Sequence, residues 1–327
     1  MKLANIFSDN MVFQAEKTVR FFGKGKGCVS ITLKNQTYTK IFFGDSWVLE
    51  LPPQQYGGPY DIKIRLQEED IILRNVVFGD VFLCAGQSNM QFSVAQENDG
   101  KIKDNDYIRC FVSDRIQQHT GQKSADGWIV CKSDAVEYWS ALGLHIAENY
   151  QNKKDVFVGI VGCFQGASVI RSWIPKNELD ETVYVPLEQR HRDCIDERWF
   201  SWNGDSQLYE NTFLPIAPFS FKAVIWYQGE SDTTVAEGKV YTNLLRKLII
   251  AWRDSLKDYD LPFVVVQICD FENRSDEGWR SIQQCQQEVS EIIENVQTVT
   301  SKDVCEHCDI HPSNKKKLGE KISNILL

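Results

Sequence analysis

Several things are missing from this 327-residue chain, and each absence removes a class of function. No apolar run reaches the roughly 20 residues that a membrane-spanning helix needs, so a membrane anchor of that kind is not expected. The N-terminal stretch has one early lysine but neither a long apolar core nor a small-residue cleavage pattern, which predicts no secretory signal and a cytoplasmic protein. Basic residues are in deficit: the formal charge of -9 argues against nucleic acid, which would want a basic face to release counterions. Low-complexity segments and internal repeats are absent as well. What remains, 43% hydrophobic and 25% charged residues, is the composition of a globular chain able to bury a large core.

The ten cysteines lack the spacing of a disulfide framework. Most sit singly in apolar contexts such as VFLCAG, VGCFQG and VQICDF, the usual setting of buried free thiols. Cys305 and Cys308 form one close pair and, with His307 and His311, have the makings of a metal site. No second pair at zinc-ligand spacing follows, so no metal is expected there.

The texture changes near residue 77. Before it, short apolar and β-branched runs at 18–22, 28–33, 37–43, 47–51, 60–65 and 71–77 are separated by Gly, Asn, Asp and Pro, which predicts a small antiparallel β-sandwich domain over residues 1–77. After it, the buried-strand runs VVFGDVFLCAG, VFVGIVGCF, KAVIWYQG and PFVVVQICD alternate with helical periodicity at 140–150, 241–255 and 279–294. That alternation predicts an α/β domain over residues 78–327, with a parallel sheet between helices.

Functional groups in such sheets gather beyond the carboxyl ends of the strands. Ser88 leaves the first strand on the tight turn Ala85-Gly86-Gln87-Ser88-Asn89, where its hydroxyl is either a nucleophile or a helix cap. Gly166, after the second strand, offers a backbone N–H to a developing oxyanion, or is merely a loop residue. Gln228 and Glu230, after the third, offer a side-chain N–H and a supporting carboxylate, or form a polar turn. Asp309 and His311 precede the last helical segment and have the parts of an oriented general base. Together these residues supply everything a serine hydrolase needs.

The run Gly79 to Met90 (GDVFLCAGQSNM), with Trp226 to Asp232 (WYQGESD) and Asp309-Ile310-His311-Pro312, resembles the sialate O-acetylesterase family of SGNH hydrolases. The likeness spans nearly the whole chain, since Phe7 to Gln14 (FSDNMVFQ) and Gly57-Gly58-Pro59-Tyr60 look like that family's N-terminal β-domain. It implies a flavodoxin-like three-layer α/β/α domain, an acyl-enzyme mechanism and no cofactor. Ser88 matches the nucleophile, His311 the base, and Gly166 and Gln228 the oxyanion donors beside the Ser88 N–H. The substrate it implies is an acetylated mono- or oligosaccharide, either sialic acid or a plant-type fragment.

Two departures stand out. Gly166-Ala167-Ser168 replaces an expected Gly-Gly-Thr, and Arg171 replaces an acidic residue. The acid that would orient His311 is Asp309, two residues before it, with Glu230 or a backbone carbonyl as alternatives. Trp173, Trp199, Phe200, Trp202 and Tyr209 either stack on sugar rings or pack as local core. The rival readings are a non-catalytic carbohydrate-binding protein on the same fold and an SGNH hydrolase for other small esters.

Overall fold

The computed structural model describes residues 1–98, 101–114, 127–179, 201–274 and 276–327. The N-terminal part is built of short strands: β1 (Lys2–Leu3), β2 (Val12–Gln14), β3 (Val19–Lys24), β4 (Gly27–Leu33), β5 (Gln36–Phe42), β6 (Ser46–Leu51) and β7 (Gly57–Leu66). Strand β2 pairs parallel with residues 77–79, and the others pair antiparallel as β1–β3–β6 and β5–β4–β7. In β6 and the second half of β7 the residues alternate between exposed and buried, the two-residue period of a sheet with one wet face.

The next strand, β8 (Glu69–Gly86), joins the two halves. Its first half pairs antiparallel with β7, and its second half lies at the centre of a seven-stranded sheet, so the strand runs unbroken across residues 77 and 78. The other members are β9 (Asn105–Val112), β10 (Ile129–Cys131), β11 (Val158–Phe164), β12 (Ala223–Tyr227), β13 (Phe263–Gln267) and β14 (Val296–Thr300), in spatial order β10-β9-β11-β8-β12-β13-β14. All neighbours are parallel except β10, which runs antiparallel at one edge. Strands β8, β11, β12 and β13 are the four expected from the apolar runs, and β11, β12 and β13 are buried along their whole length.

The chain leaves β8 toward β9 and β11 and then crosses to β12. In sheets of this kind such a reversal places the ligand crevice at the carboxyl ends of the flanking strands, here β11, β8 and β12.

The helices include α1 (Ser88–Gln91), α2 (Ala141–Lys154), α3 (Tyr241–Leu256), α4 (Glu277–Ile292) and α5 (Lys316–Leu326). On α3 the buried Leu244, Leu245, Leu248, Ile249, Trp252 and Leu256 fall on one stripe at helical spacing. Asp276 caps α4 by accepting from the Trp279 N–H, and Ser140 caps α2 by accepting from Gly143. No helix among the described residues is long and apolar enough to cross a membrane.

An aromatic cluster fills the space beneath the third strand end. Trp252 stacks on Phe213 at 4.0 Å between centroids, and Trp173 meets Trp226 edge-on at 5.8 Å. Trp173 and Trp202 are thus core residues and offer no open face to a sugar. Tyr209 is partly buried against Phe213, with its hydroxyl 2.8 Å from Ser255. Trp199 and Phe200 lie outside the described residues. The nine cysteines among the described residues are free thiols, seven of them buried. His307 turns its Nε2 to the Lys302 carbonyl at 2.9 Å.

Candidate active site

The turn that carries Ser88 is dictated by Gly86. At φ +135° its backbone is in a region that a side chain rarely tolerates, and a Cβ there would lie 2.0 Å from the Tyr227 carbonyl oxygen on the adjacent strand. The next residue, Gln87, donates its own N–H to that carbonyl at 2.9 Å. Its side-chain Oε1 accepts from the Gly229 and Ser231 N–H groups, which pins the β12 loop against the Ser88 turn. Ser88 then opens α1 half-exposed, and no acceptor among the described residues takes its backbone N–H.

His311, 223 residues away in sequence, brings its Nε2 to 2.7 Å from the Ser88 Oγ. This is the spacing at which an imidazole takes the proton of an attacking hydroxyl. Burial, and after it the charge of Lys315, holds the His311 ring below its ordinary pKa, while Asp309 pulls the other way. This downward shift favours the uncharged ring, the form that a general base requires.

Asp309 does not reach the ring. Its Oδ1 accepts the His311 backbone N–H at 2.9 Å, so the expected orienting acid is corrected to a turn-former. The reason is the spacing: an aspartate two residues before an N–H closes the local turn most readily on the backbone. Glu230 is not the alternative either. Its Oε1 takes the Asn89 Nδ2–H at 2.6 Å deep in the fold, and burial raises its carboxyl pKa. No acceptor among the described residues is bonded to the His311 Nδ1, so serine and histidine stand as a dyad.

Asp309→Asn tests the difference, since asparagine keeps the backbone acceptor and removes only the charge. Activity should fall less than about tenfold and its acid limb should move to lower pH, because the charge that raises the His311 pKa is gone. An orienting acid would cost about 10⁴-fold, and a loss of that size in a pH-rate profile would restore Asp309 to the role.

The two other expected oxyanion donors are engaged by the protein. The Gly166 N–H donates to the Gln91 Oε1 at 2.8 Å. Gln228 spends both amide hydrogens, on the Ser168 carbonyl at 2.8 Å and the Asp232 Oδ2 at 2.6 Å, while its Oε1 accepts from the Tyr241 hydroxyl at 2.8 Å. Asp232 also takes the Ile170 N–H at 2.9 Å. Gln228 is therefore not the oxyanion donor expected from the sequence: its carboxamide ties the β11 and β12 loops together and has no hydrogen left for an oxyanion. Arg171 is buried and forms a bidentate pair with Asp205 at 2.9 and 2.7 Å, so the change of charge at this position is balanced inside the fold.

Asn89 and Lys315 were not singled out from the sequence. Asn89 donates from one Nδ2 to Glu230 and, at 2.9 Å, to the Ile310 carbonyl just before His311. Its Oδ1 accepts from the Lys315 Nζ at 2.7 Å. Lys315 sits in the run Lys315-Lys316-Lys317, which reads as a solvated basic face, and only its spacing of four after His311 sets it apart.

The family described as "Carbohydrate esterase, sialic acid-specific acetylesterase" matches residues 78–327, which hold every residue of the site. The chain belongs to this acetylesterase family. The sialate O-acetylesterase of Rattus norvegicus is 23% identical over 98% of this chain and 72% of its own length, and that of Homo sapiens is 24% identical over 98% and 69%. A crystal structure of a carbohydrate acetylesterase from Xanthomonas citri superposes with a TM-score of 0.84 at 23% identity, covering 98% of this chain and 73% of that one. At that identity the likeness establishes the fold. Family membership makes the chain one of a set of esterases, and within it the Ser88–His311 pair lies inside the matched segment.

Proposed function

We propose that this member of the acetylesterase family hydrolyses O-acetyl esters of sugars through an acyl-enzyme on Ser88. The observation that carries the reading is the 2.7 Å contact between the Ser88 Oγ and the His311 Nε2, at the strand ends where the parallel sheet reverses. Ser88 attacks the acetyl carbonyl carbon as His311 takes the hydroxyl proton, and the carbonyl electrons move onto oxygen. The free Ser88 N–H meets that oxyanion, and the Gly166 N–H joins it when the Gln91 carboxamide gives way. His311 returns its proton to the departing sugar hydroxyl. Water, deprotonated by the same ring, then releases acetate and restores Ser88.

Asp309 shapes the His311 turn and adds its charge, while Gln228, Asp232 and Gln87 hold the loops in register. We read the domain as SGNH-type, its three layers being helices, sheet and helices, and strands β1–β7 as a sandwich bracing it through β8. Acetylated sialic acid and acetylated plant-type oligosaccharides are the substrates proposed, the first supported by the names of the rat and human relatives.

The test is acetate release from acetylated sialic acid, acetylated xylo- and manno-oligosaccharides and 4-nitrophenyl esters of increasing chain length. The expected result is turnover of at least one sugar ester, with the nitrophenyl series losing on the order of tenfold or more from acetate to butyrate. Equal rates for acetate and butyrate would point to a broader acyl hydrolase. A folded protein that binds these sugars without releasing acetate would be a carbohydrate-binding relative.

A further inference from the structure

Behind the Ser88–His311 pair lies a lysine that the mechanism above does not use. Lys315 is buried, and its Nζ donates to the Asn89 Oδ1 at 2.7 Å. The same carboxamide donates on its other side to Glu230 and to the Ile310 carbonyl. A buried cation and a buried carboxylate thus face each other across one amide, and that amide also grips the peptide preceding His311. The Lys315 backbone N–H is fixed separately, by the Glu97 Oε1 at 2.9 Å, and the Glu97 Oε2 is 2.9 Å from the His145 Nε2 on α2. The ammonium stands 4.8 Å from the centroid of Phe92, whose ring lies stacked 6.4 Å from that of His311.

We propose that Lys315 is a positioning residue of the hydrolytic centre, orienting the Asn89 carboxamide so that it holds the His311 segment over Ser88 and presenting a fixed positive charge behind the ring. The inference rests on the esterase reading for its meaning in turnover. Its physical basis is twofold. An unpartnered amide rotates, whereas one with a cation on its oxygen and a carboxylate on its nitrogen has a single favourable orientation. A buried positive charge also disfavours a second one nearby, which keeps the His311 ring in its basic form.

The groups facing Lys315 are Glu230 from the β12 loop, Glu97 from the segment after α1, Cys305 and Glu306 from the segment after β14, and the rings of Phe92 and Tyr227. Burial pushes the ammonium down to about 8, against the pull of these acids. Below that pH Lys315 is charged throughout the range in which His311 titrates.

Lys315→Met removes the charge and keeps most of the stem. Two readouts are taken on the full chain: the NMR titration of the His311 ring, assigned among five histidines by its loss in His311→Gln, and the pH profile of kcat/KM for 4-nitrophenyl acetate. The His311 midpoint should rise by about one pH unit. The acid limb should move to higher pH with it, and kcat should fall about tenfold while KM holds. An unmoved midpoint and acid limb, with only a uniform loss of rate or stability, overturns the inference.

Glu230→Gln provides the opposite sign. With the carboxylate neutralised, Lys315 repels a protonated ring more strongly and the midpoint should fall; no change, or a rise, overturns the inference even where Lys315→Met does not fold. Because ring titration needs no turnover, a Lys315-dependent midpoint in a protein that releases no acetate would sink the esterase reading and leave the inference standing.

Discussion

Ser88→Ala should abolish acetate release, and His311→Gln should cut it nearly as deeply, each by about 10³- to 10⁶-fold, with the double variant no worse than either single one. The non-additivity follows from the contact itself. The serine is a weak nucleophile until a base takes its proton, and the base has nothing to do without the serine, so each removal disables the same step. Among the described residues the Ser88 hydroxyl has no partner besides His311, 2.7 Å away. Deleting it therefore leaves no buried group stranded, and the denaturation midpoint should stay close to that of the native chain. Rates measured on 4-nitrophenyl acetate, alongside urea denaturation of the same four proteins, separate catalysis from folding. Losses that simply multiplied, or a Ser88→Ala protein that retained its rate, would mean that the two residues do not act as a unit.

The parts of the fold legible in the sequence were those buried on both faces. Strands β8, β11, β12 and β13 read as continuous apolar runs because helices or neighbouring strands cover them. The outer strands escaped: β14 (Val296–Thr300) buries only Val296 and Val299, and β9 begins with the polar Asn105-Asp106-Tyr107. Both make sense only when a neighbour is known. The unbroken run of β8 through residues 77 and 78 was hidden for a related reason, since the change of texture there marks a change of pairing partner and not a break in the strand.

For the site, composition and spacing pointed to the residues but not to their bonds. Ser88 and His311 were legible because a serine on a small-residue turn and a histidine before a final helix each stand at a strand or helix boundary. The partners of Asp309 and Gln228 were not. An aspartate two residues before a histidine equally suits the ring and the backbone, and a glutamine amide equally suits an oxyanion and the Ser168 carbonyl; three-dimensional neighbours decide. Lys315 was least legible, because in the sequence only its spacing from His311 distinguishes it from Lys316 and Lys317, and its burial depends on how α5 packs.

Gly86→Ala should be the most damaging single methyl in the chain's active region. Gly86 lies where β8 is flanked by both neighbours, in register with Tyr227 on β12 and Phe164 on β11. The added Cβ would sit 2.0 Å from the Tyr227 carbonyl oxygen and 2.6 Å from its carbon, and these are backbone atoms that no rotamer change can move aside. Positive φ adds strain on top of the clash. Strain at such a φ costs about 1–3 kcal/mol and overpacking a similar amount, so a loss of roughly 2–6 kcal/mol is expected in urea denaturation. If the protein survives by parting β8 from β12, the Ser88 turn moves with it, and a displacement on the order of 1 Å costs about 10²-fold in rate. Gly44→Ala is the control: a Cβ there meets only the Ser46 carbonyl oxygen, at 3.8 Å, and should change stability by no more than about 0.5 kcal/mol. Equal tolerance at the two positions would show that the strand ends at the crevice are more yielding than this packing allows, and that Ser88 is not held by the glycine turn beneath it.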